Sequence, residues 1–227
     1  MTSEAHEPEW LRQSQSLSTA EVSDALDFFG LPGSALGIKP VAGPAKLFGC
    51  AFTVRFAPID RFKPGTVGDF IDRLTPGTVA VLDNGGREDC TVWGGIMSQL
   101  AAHKRIGGTV VHGVCRDTAE ADTAGYPLYA CGKFMRTGKD RVQVEAYEAP
   151  VQLGDVRVCP GDLVIGDNDG VVVVPHQRVQ EVLVKALETR AIEAQILEAA
   201  MTGMHLSEAR KKYGYHTLQR ARTTLAG

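Results

Sequence analysis

Arg116 and Asp117 stand at the end of an apolar, β-branched run, Thr109-Val110-Val111-His112-Gly113-Val114-Cys115, that follows Gly107-Gly108. A short run of this composition reads as an interior strand. Charged residues just past such a strand sit where the sites of α/β proteins are usually assembled. Adjacent strand side chains point to opposite faces, so Arg116 and Asp117 are expected to serve different partners rather than each other. A guanidinium suits a carboxylate and a carboxylate suits a hard cation, which together fit a metal-assisted reaction on a keto acid. A salt-bridged strand terminus is the other reading that these two residues allow.

A second feature lies upstream, at Trp93-Gly94-Gly95-Ile96-Met97. From Ile96 to Lys104 the apolar spacing is helical, so the glycines open a helix. Glycine lets backbone approach a ligand closely, and the first amides of a helix bind anions. A carboxylate could dock on the Ile96 and Met97 amides while Arg116 clamps it; taken alone, the turn is more simply a helix cap with small packing residues.

The remaining candidates are weaker. His112 shares strand parity with Arg116 and could face the same cavity, or be a satisfied core histidine. Cys115 adjoins Arg116, but no histidine base is placed for it. Lys104 falls on a polar helix face and reads as solvated. Asp167 and Asp169 lack the spacing and the closing glutamate of a calcium loop, so they read as turn formers.

These residues need elements to position them. Ser18-Thr19-Ala20-Glu21 is a capping box that opens a helix to about Phe29, with Gly30 as its stop. Leu31 to Gly49 is rich in Gly and Pro and reads as loop. Strands are expected at 50–56, 78–82, 109–114, 128–131, 142–146, 154–158, 163–165 and 171–174, and a helix at 67–74. Asp83-Asn84-Gly85-Gly86 reads as a turn or an anion-facing loop, and Pro160-Gly161-Asp162 and Asp167-Asn168-Asp169-Gly170 as turns. After Pro175 a long helix runs to about Thr202, with Val179, Leu183, Ala186 and Leu197 as its apolar stripe. Arg190 and Glu193 interrupt that stripe. Either they pair at i, i+3 or Glu193 reaches a site on a neighbouring subunit. This order of elements gives an α/β or α+β class with a mixed sheet, without the glycine fingerprints of dinucleotide or P-loop proteins.

Composition narrows the function. Hydrophobic residues make up 44% and charged residues 22% of 227 residues, which suits one domain with a real core. A net charge of −3 gives no electrostatic case for nucleic acid. No apolar run is long enough to span a membrane. Five cysteines with no Cys-x-x-Cys pair favour reduced thiols, and Met1–Glu7 is polar and acidic rather than a signal peptide, so a cytoplasmic protein is expected.

Several stretches together resemble the RraA-like family: Ser18–Leu26, Trp93-Gly94-Gly95, Gly113-Val114-Cys115-Arg116-Asp117, Pro160–Val164, Gly170–Pro175 and Lys212-Tyr213-Gly214. That family includes class II pyruvate aldolases acting on 4-hydroxy-4-methyl-2-oxoglutarate and 4-carboxy-4-hydroxy-2-oxoadipate, and the regulator of ribonuclease E activity. The resemblance implies one RraA-like domain over 1–227, with a core at about 18–175 and C-terminal helices at about 176–214. It implies a compact α/β, mixed-sheet sandwich of the β/β/α swivelling-domain type, assembled as a homotrimer or a hexamer (a dimer of trimers). It implies a metal-dependent lyase that cleaves a 4-hydroxy-2-oxo acid to pyruvate, with oxaloacetate decarboxylation as a side activity.

The resemblance also assigns roles. Arg116 binds substrate carboxylate together with the amides of the Gly94-Gly95-Ile96-Met97 turn. Asp117 ligates Mg²⁺ or Mn²⁺. Glu193, from the C-terminal helix of an adjacent subunit, orients a water. The family's upstream aspartate is replaced here by Gly95, a loss that Glu88 or Asp89 could make good. The ribonuclease regulator lacks the aldolase metal motif, whereas this chain keeps Arg116 and Asp117. The rival expectations are a non-catalytic binding protein of an RNA-processing enzyme, and a metal-dependent lyase or hydratase acting on a different keto acid.

Overall fold

The computed structural model describes residues 9–215 and Leu218, so the polar start at 1–7 lies outside the described residues. The chain forms two compact units, one from the residues up to Pro32 together with those from Gln177 onward, the other from Gly33 to His176.

The larger unit is built on one mixed sheet. Its strands are β1 (Lys39–Ala42), β2 (Leu47–Pro58), β3 (Val79–Thr91), β4 (Gly108–Cys115), β5 (Leu128–Lys133), β6 (Val142–Tyr147), β9 (Leu163–Gly166) and β10 (Val171–Val174), with a separate hairpin of β7 (Val151–Leu153) and β8 (Val156–Val158). The order is β1-β5-β4-β3-β2-β9-β10, and β6 pairs with the C-terminal half of β2. β2, β3, β4 and β5 run parallel, and the other pairings are antiparallel. Parallel strands must be covered on both faces, and here each face has its own core. One core gathers Phe56, Phe70, Leu82, Trp93, Val111 and Tyr126. The other gathers Val81, Val110, Tyr129, Leu153, Val164 and Val173. The expected mixed-sheet α/β sandwich is therefore the observed class.

Several boundaries differ from the sequence reading. The expected loop at 31–49 contains β1 and the start of β2, because pairing with β5 and β9 holds a Gly- and Pro-rich segment extended. The helix expected at 67–74 is a short 3-10 turn, Asp69–Arg73. The strand expected at 154–158 is the β7–β8 hairpin, which turns at Gly154 with φ +60°. Asp83–Gly86 is no loop: it lies inside β3, where the register with β4 jumps from Asp83↔His112 to Arg87↔Gly113. Gly85 and Gly86 take up the bulge with φ of 64° and 69°, which non-glycine residues rarely adopt. Beyond the bulge β3 continues to Thr91, which pairs with Val114 near the end of β4.

Two expected turns are confirmed. Asp169 donates its amide to the Asp167 carboxylate (2.9 Å). The buried Asp162 carboxylate accepts the amides of Cys159 (2.7 Å) and His176 (3.0 Å), so the Pro160-Gly161-Asp162 segment is a structural clasp.

The helical unit contains α1 (Glu9–Ser14), α2 (Thr19–Phe28), α5 (Val179–Met201) and α6 (Leu206–Lys212). α2 starts on the expected capping box: Ser18 Oγ accepts the Glu21 amide (3.2 Å) and Glu21 accepts the Ser18 amide (2.7 Å). On α5 the buried residues are Val182, Leu183, Ala186, Thr189 and Ile196, while Leu197 is 63% exposed. The stripe is thus shifted from the one read off the sequence, because a 3.6-residue helix drifts away from a strict heptad. Arg190 does not pair with Glu193. Its guanidinium grips both Glu21 carboxylate oxygens (2.5 and 2.6 Å) and bonds Ser16.

Candidate functional site

β3 and β4 are parallel neighbours, so their C-terminal ends lie side by side and their exit segments meet. β3 leads into Trp93-Gly94 and then α3 (Gly95–His103); β4 leads into Arg116-Asp117 and then α4 (Thr118–Thr123). The Arg116 amide donates to the Trp93 carbonyl (3.2 Å), and the Gly95 amide donates to Asp117 Oδ2 (3.0 Å), so the two exits are tied twice.

The turn itself is rigid. Thr91 Oγ1 donates to the Trp93 carbonyl (2.8 Å), the Trp93 indole donates to Ser98 (2.9 Å), and the indole stacks on Tyr126 with ring centres 5.9 Å apart.

Arg116, Asp117, Gly94, Gly95, Ile96 and Met97 all line one cavity of about 270 Å³, with Val67, Gly68, Thr91, Val92, Trp93 and Thr137 as its other walls. Every expected residue of the larger unit is therefore brought together. The amides of Ile96 and Met97 lie in the first turn of α3, where a helix offers them no acceptor of its own. A Cβ on Gly94 would lie 2.8 Å from Asp117 Oδ2 and 3.2 Å from Arg116 Nε, so glycine leaves a cradle there that any other residue would fill.

One sequence expectation fails at the centre of the site. Arg116 Nε lies 3.3 Å from Asp117 Oδ2, so the two side chains do meet. The strand has already ended at Cys115, and Asp117 is left-handed (φ 54°, ψ 43°), so strand alternation no longer governs where its carboxylate points. Both side chains remain about two-fifths exposed, and Arg116 also reaches the Met135 carbonyl with Nη1 (3.5 Å).

The other candidates separate from this cavity. His112 faces the opposite side of the sheet, where its Nδ1 meets Asp83 (3.2 Å), and Asp83 also accepts the Gln152 amide (2.9 Å). Burial alone would raise the Asp83 carboxyl, but the His112, Gln152 and Gly85 hydrogen bonds outweigh it and lower its pKa. Cys115 is fully buried, and desolvation pushes its thiol up to about 12 despite Lys133 nearby, so it is no thiolate nucleophile. Lys104 is not merely solvated: its ammonium donates to the Ile71 carbonyl (2.9 Å) and pins the 3-10 turn behind the cavity. Glu88 and Asp89 do not line the cavity, and Asp89 is paired with Arg87 at 2.9 Å.

Sequence reasoning also missed Glu120, which packs beside Gly95 but does not line the cavity. A Cβ on Gly95 would lie 3.2 Å from Glu120 Cγ and 3.2 Å from Asp117 Cβ, so Glu120 occupies the space of a side chain at 95. No local signal marks it, because its place beside Gly95 is set by the packing of α4 against α3.

Glu193 lies on α5 in the helical unit, half-buried. Burial, then Asp24 and Glu21, raise its carboxyl pKa.

The donor chemistry suits a hard divalent cation held by few protein ligands. Asp117 presents one carboxylate, and among the described residues no three His, Cys, Asp or Glu side chains form a metal-binding group. A cation there would need water and substrate as its other ligands.

A carboxylate, a guanidinium and a helix start line one cavity at the ends of parallel strands in a mixed-sheet α/β protein, an arrangement whose chemistry suits a small anion. The chain belongs to the RraA-like family (Aldolase/RraA), whose description matches residues 19–173. It is 38% identical over 212 residues to the protein DlpA of Legionella pneumophila, covering 92% of this chain but only 34% of DlpA, so it spans about a third of that relative. It is 32% identical to a Halalkalibacterium halodurans protein provisionally named 4-hydroxy-4-methyl-2-oxoglutarate aldolase, over 82% of this chain and 85% of that one. The fold superposes with a TM-score of 0.75 on Streptomyces coelicolor RraAS2, described as an unusual member of the RNase ES inhibitor RraA family, at 27% identity over 83% of this chain and 95% of that one.

Proposed function

We propose that the protein is a divalent-metal-dependent lyase that cleaves the C3–C4 bond of a 4-hydroxy-2-oxo acid to release pyruvate, and that decarboxylates oxaloacetate as a side activity. The observation that carries this reading is the convergence of Arg116, Asp117 and the Gly94–Met97 turn on one cavity. The aldolase names of several relatives support it.

Arg116 and the two amides hold the substrate carboxylate and so fix the 2-oxo acid in register. Asp117 would hold Mg²⁺ or Mn²⁺, with Oδ2 anchored by the Gly95 amide. A cation bound there supplies a Lewis acid that lowers the energy of the charge developing on the keto oxygen. The bond pair of C3–C4 passes to C3, the C4 hydroxyl gives up its proton to become a carbonyl, and C3 is then protonated.

For the proton on the C4 hydroxyl we assign Glu193 from a neighbouring copy in a homotrimer or a dimer of trimers, acting through water. Its raised pKa suits a group that must take and return a proton. The substrate is a small 2-oxo acid, and neither nucleic acid nor membrane has a role. The proposed setting is cytoplasmic; among the described residues no helix is long and apolar enough to cross a membrane.

The test is pyruvate release from oxaloacetate and from 4-hydroxy-4-methyl-2-oxoglutarate, with Mg²⁺ or Mn²⁺ and after chelation. Release that stops on chelation supports the lyase. No release with any metal favours the binding-protein reading that the likeness to RraAS2 raises.

A further inference from the structure

The Trp93 carbonyl joins the two strand exits. It accepts the Arg116 amide (3.2 Å) and the Thr91 hydroxyl (2.8 Å), and the Trp93 amide donates back to Thr91 Oγ1 (3.2 Å). Thr91 is the last residue of β3, paired with Val114 of β4. It is 3% exposed, so these bonds form away from water, where they are strongest.

The backbone of Thr91 makes a second connection. Its amide donates to the Arg136 carbonyl (2.9 Å), in the segment 134–141 that joins β5 to β6. The two stretches approach so closely that a Cβ on Gly138 would lie 2.5 Å from the Thr91 carbonyl oxygen, a fit that only glycine allows. In the same segment the Phe134 amide donates to the Cys115 carbonyl (2.9 Å), and the Met135 carbonyl is the one that Arg116 Nη1 reaches (3.5 Å). Thr91 is thus connected to Arg116 at both ends: through Trp93 to its amide, and through Arg136 and Met135 to its guanidinium.

We propose, resting on the lyase reading above, that Thr91 is a positioning residue for that reaction, holding Arg116 in the register that the substrate carboxylate requires. Its hydroxyl proton is committed to the Trp93 carbonyl, so it acts through Arg116 rather than on the substrate. A planar guanidinium meets a carboxylate in a narrow geometry, and a long side chain keeps that geometry only if its surroundings are fixed. Valine has the shape of threonine without the hydroxyl. It would strand the buried Trp93 amide and leave the Trp93 carbonyl to Arg116 alone, so the turn would shift.

The experiment is a double-mutant cycle on oxaloacetate decarboxylation with Mg²⁺, using Thr91→Val and Arg116→Lys. Thr91→Val should raise KM and lower kcat, with kcat/KM down about tenfold or more, and Thr91→Ser should recover most of that loss. In the Arg116→Lys background the further loss from Thr91→Val should shrink to about twofold, because the group it positions is already gone. Calorimetric binding of oxalate without metal reads the carboxylate site apart from turnover, and should weaken in Thr91→Val but not in Thr91→Ser. If Thr91→Val does not fold, Thr91→Ser against Thr91→Ala, which differ by the hydroxyl alone, makes the same comparison. Equal losses from Thr91→Val in both backgrounds, or unchanged kcat/KM and oxalate affinity, overturn the inference and leave the lyase reading standing. No decarboxylation by the wild-type chain, with oxalate binding weakened by Thr91→Val, overturns the lyase reading and keeps the positioning role. A wild-type chain that neither decarboxylates oxaloacetate nor binds oxalate overturns both.

Discussion

Asp117 Oδ2 accepts the Gly95 amide at 3.0 Å across the exits of two neighbouring parallel strands. One hydrogen bond thus fixes the carboxylate assigned to the metal and the start of the helix whose amides receive the substrate. It also explains why Asp117 tolerates a left-handed backbone, a conformation that Asp and Asn adopt more readily than most residues.

Asp117→Asn should therefore fold, since Asn accepts the same backbone and retains an oxygen for the Gly95 amide. It loses the charge that holds a hard cation. Mn²⁺ binding by calorimetry should fall at least tenfold and pyruvate release should be nearly abolished, with the melting temperature little changed. Undiminished Mn²⁺ affinity in this variant would move the metal site elsewhere.

Arg116→Lys keeps the charge but not the planar fork that a carboxylate needs. Its KM for oxaloacetate should rise about tenfold or more, and kcat should fall as well, because a loosely held acid is out of register. Unchanged kinetics would reduce the 3.3 Å contact with Asp117 to a structural ion pair.

Gly95→Asp should not simply add a carboxylate. Its Cβ would press on Glu120 Cγ and Asp117 Cβ at 3.2 Å, a misfit that costs about 1 kcal/mol or more. Glu120→Ala in the same chain removes the Cγ contact and should relieve part of it, so the two changes should be less destabilising together than their separate denaturation midpoints add up to. Strict additivity would mean that Glu120 does not occupy this space.

Glu21 and Glu193 titrate in opposite senses on the helical unit. Burial works against the Glu21 carboxylate, but the Arg190 and Ser18 hydrogen bonds outweigh it and lower its pKa. Its contribution to stability is thus present above the unfolded value of about 4.3 and is lost as pH falls through the lower folded value. Arg190→Met should cost about 1.5–3 kcal/mol at neutral pH and flatten that acid-side slope in urea titrations. Equal slopes in wild type and variant would remove Glu21 as the cause.

Glu193 has a raised pKa, so its ionised form opposes folding at neutral pH. Glu193→Gln should raise the denaturation midpoint at pH 7 while lowering pyruvate release, the pattern of a residue kept for function rather than stability. A Gln variant that is less stable and fully active would assign Glu193 to the fold.

The sequence by itself determined the elements whose signals are local. The β-branched run before Arg116, the Ser18–Glu21 capping box and the glycines ahead of α3 each act through near neighbours in the chain, and each appears where it was read. It also placed Arg116, Asp117 and the Gly94–Met97 turn in one site, because parallel strands deliver their C-terminal ends together. Only the tertiary structure decided which way side chains point once a strand ends. The left-handed turn at Asp117 brings it onto Arg116, and the bulge at 84–86 and strand pairing leave His112 on the far face with Asp83. It alone showed Glu120 filling the space beside Gly95 and Arg190 gripping Glu21 rather than Glu193. These contacts join residues whose meeting is set by packing between elements, and residue spacing within one element carries no record of that.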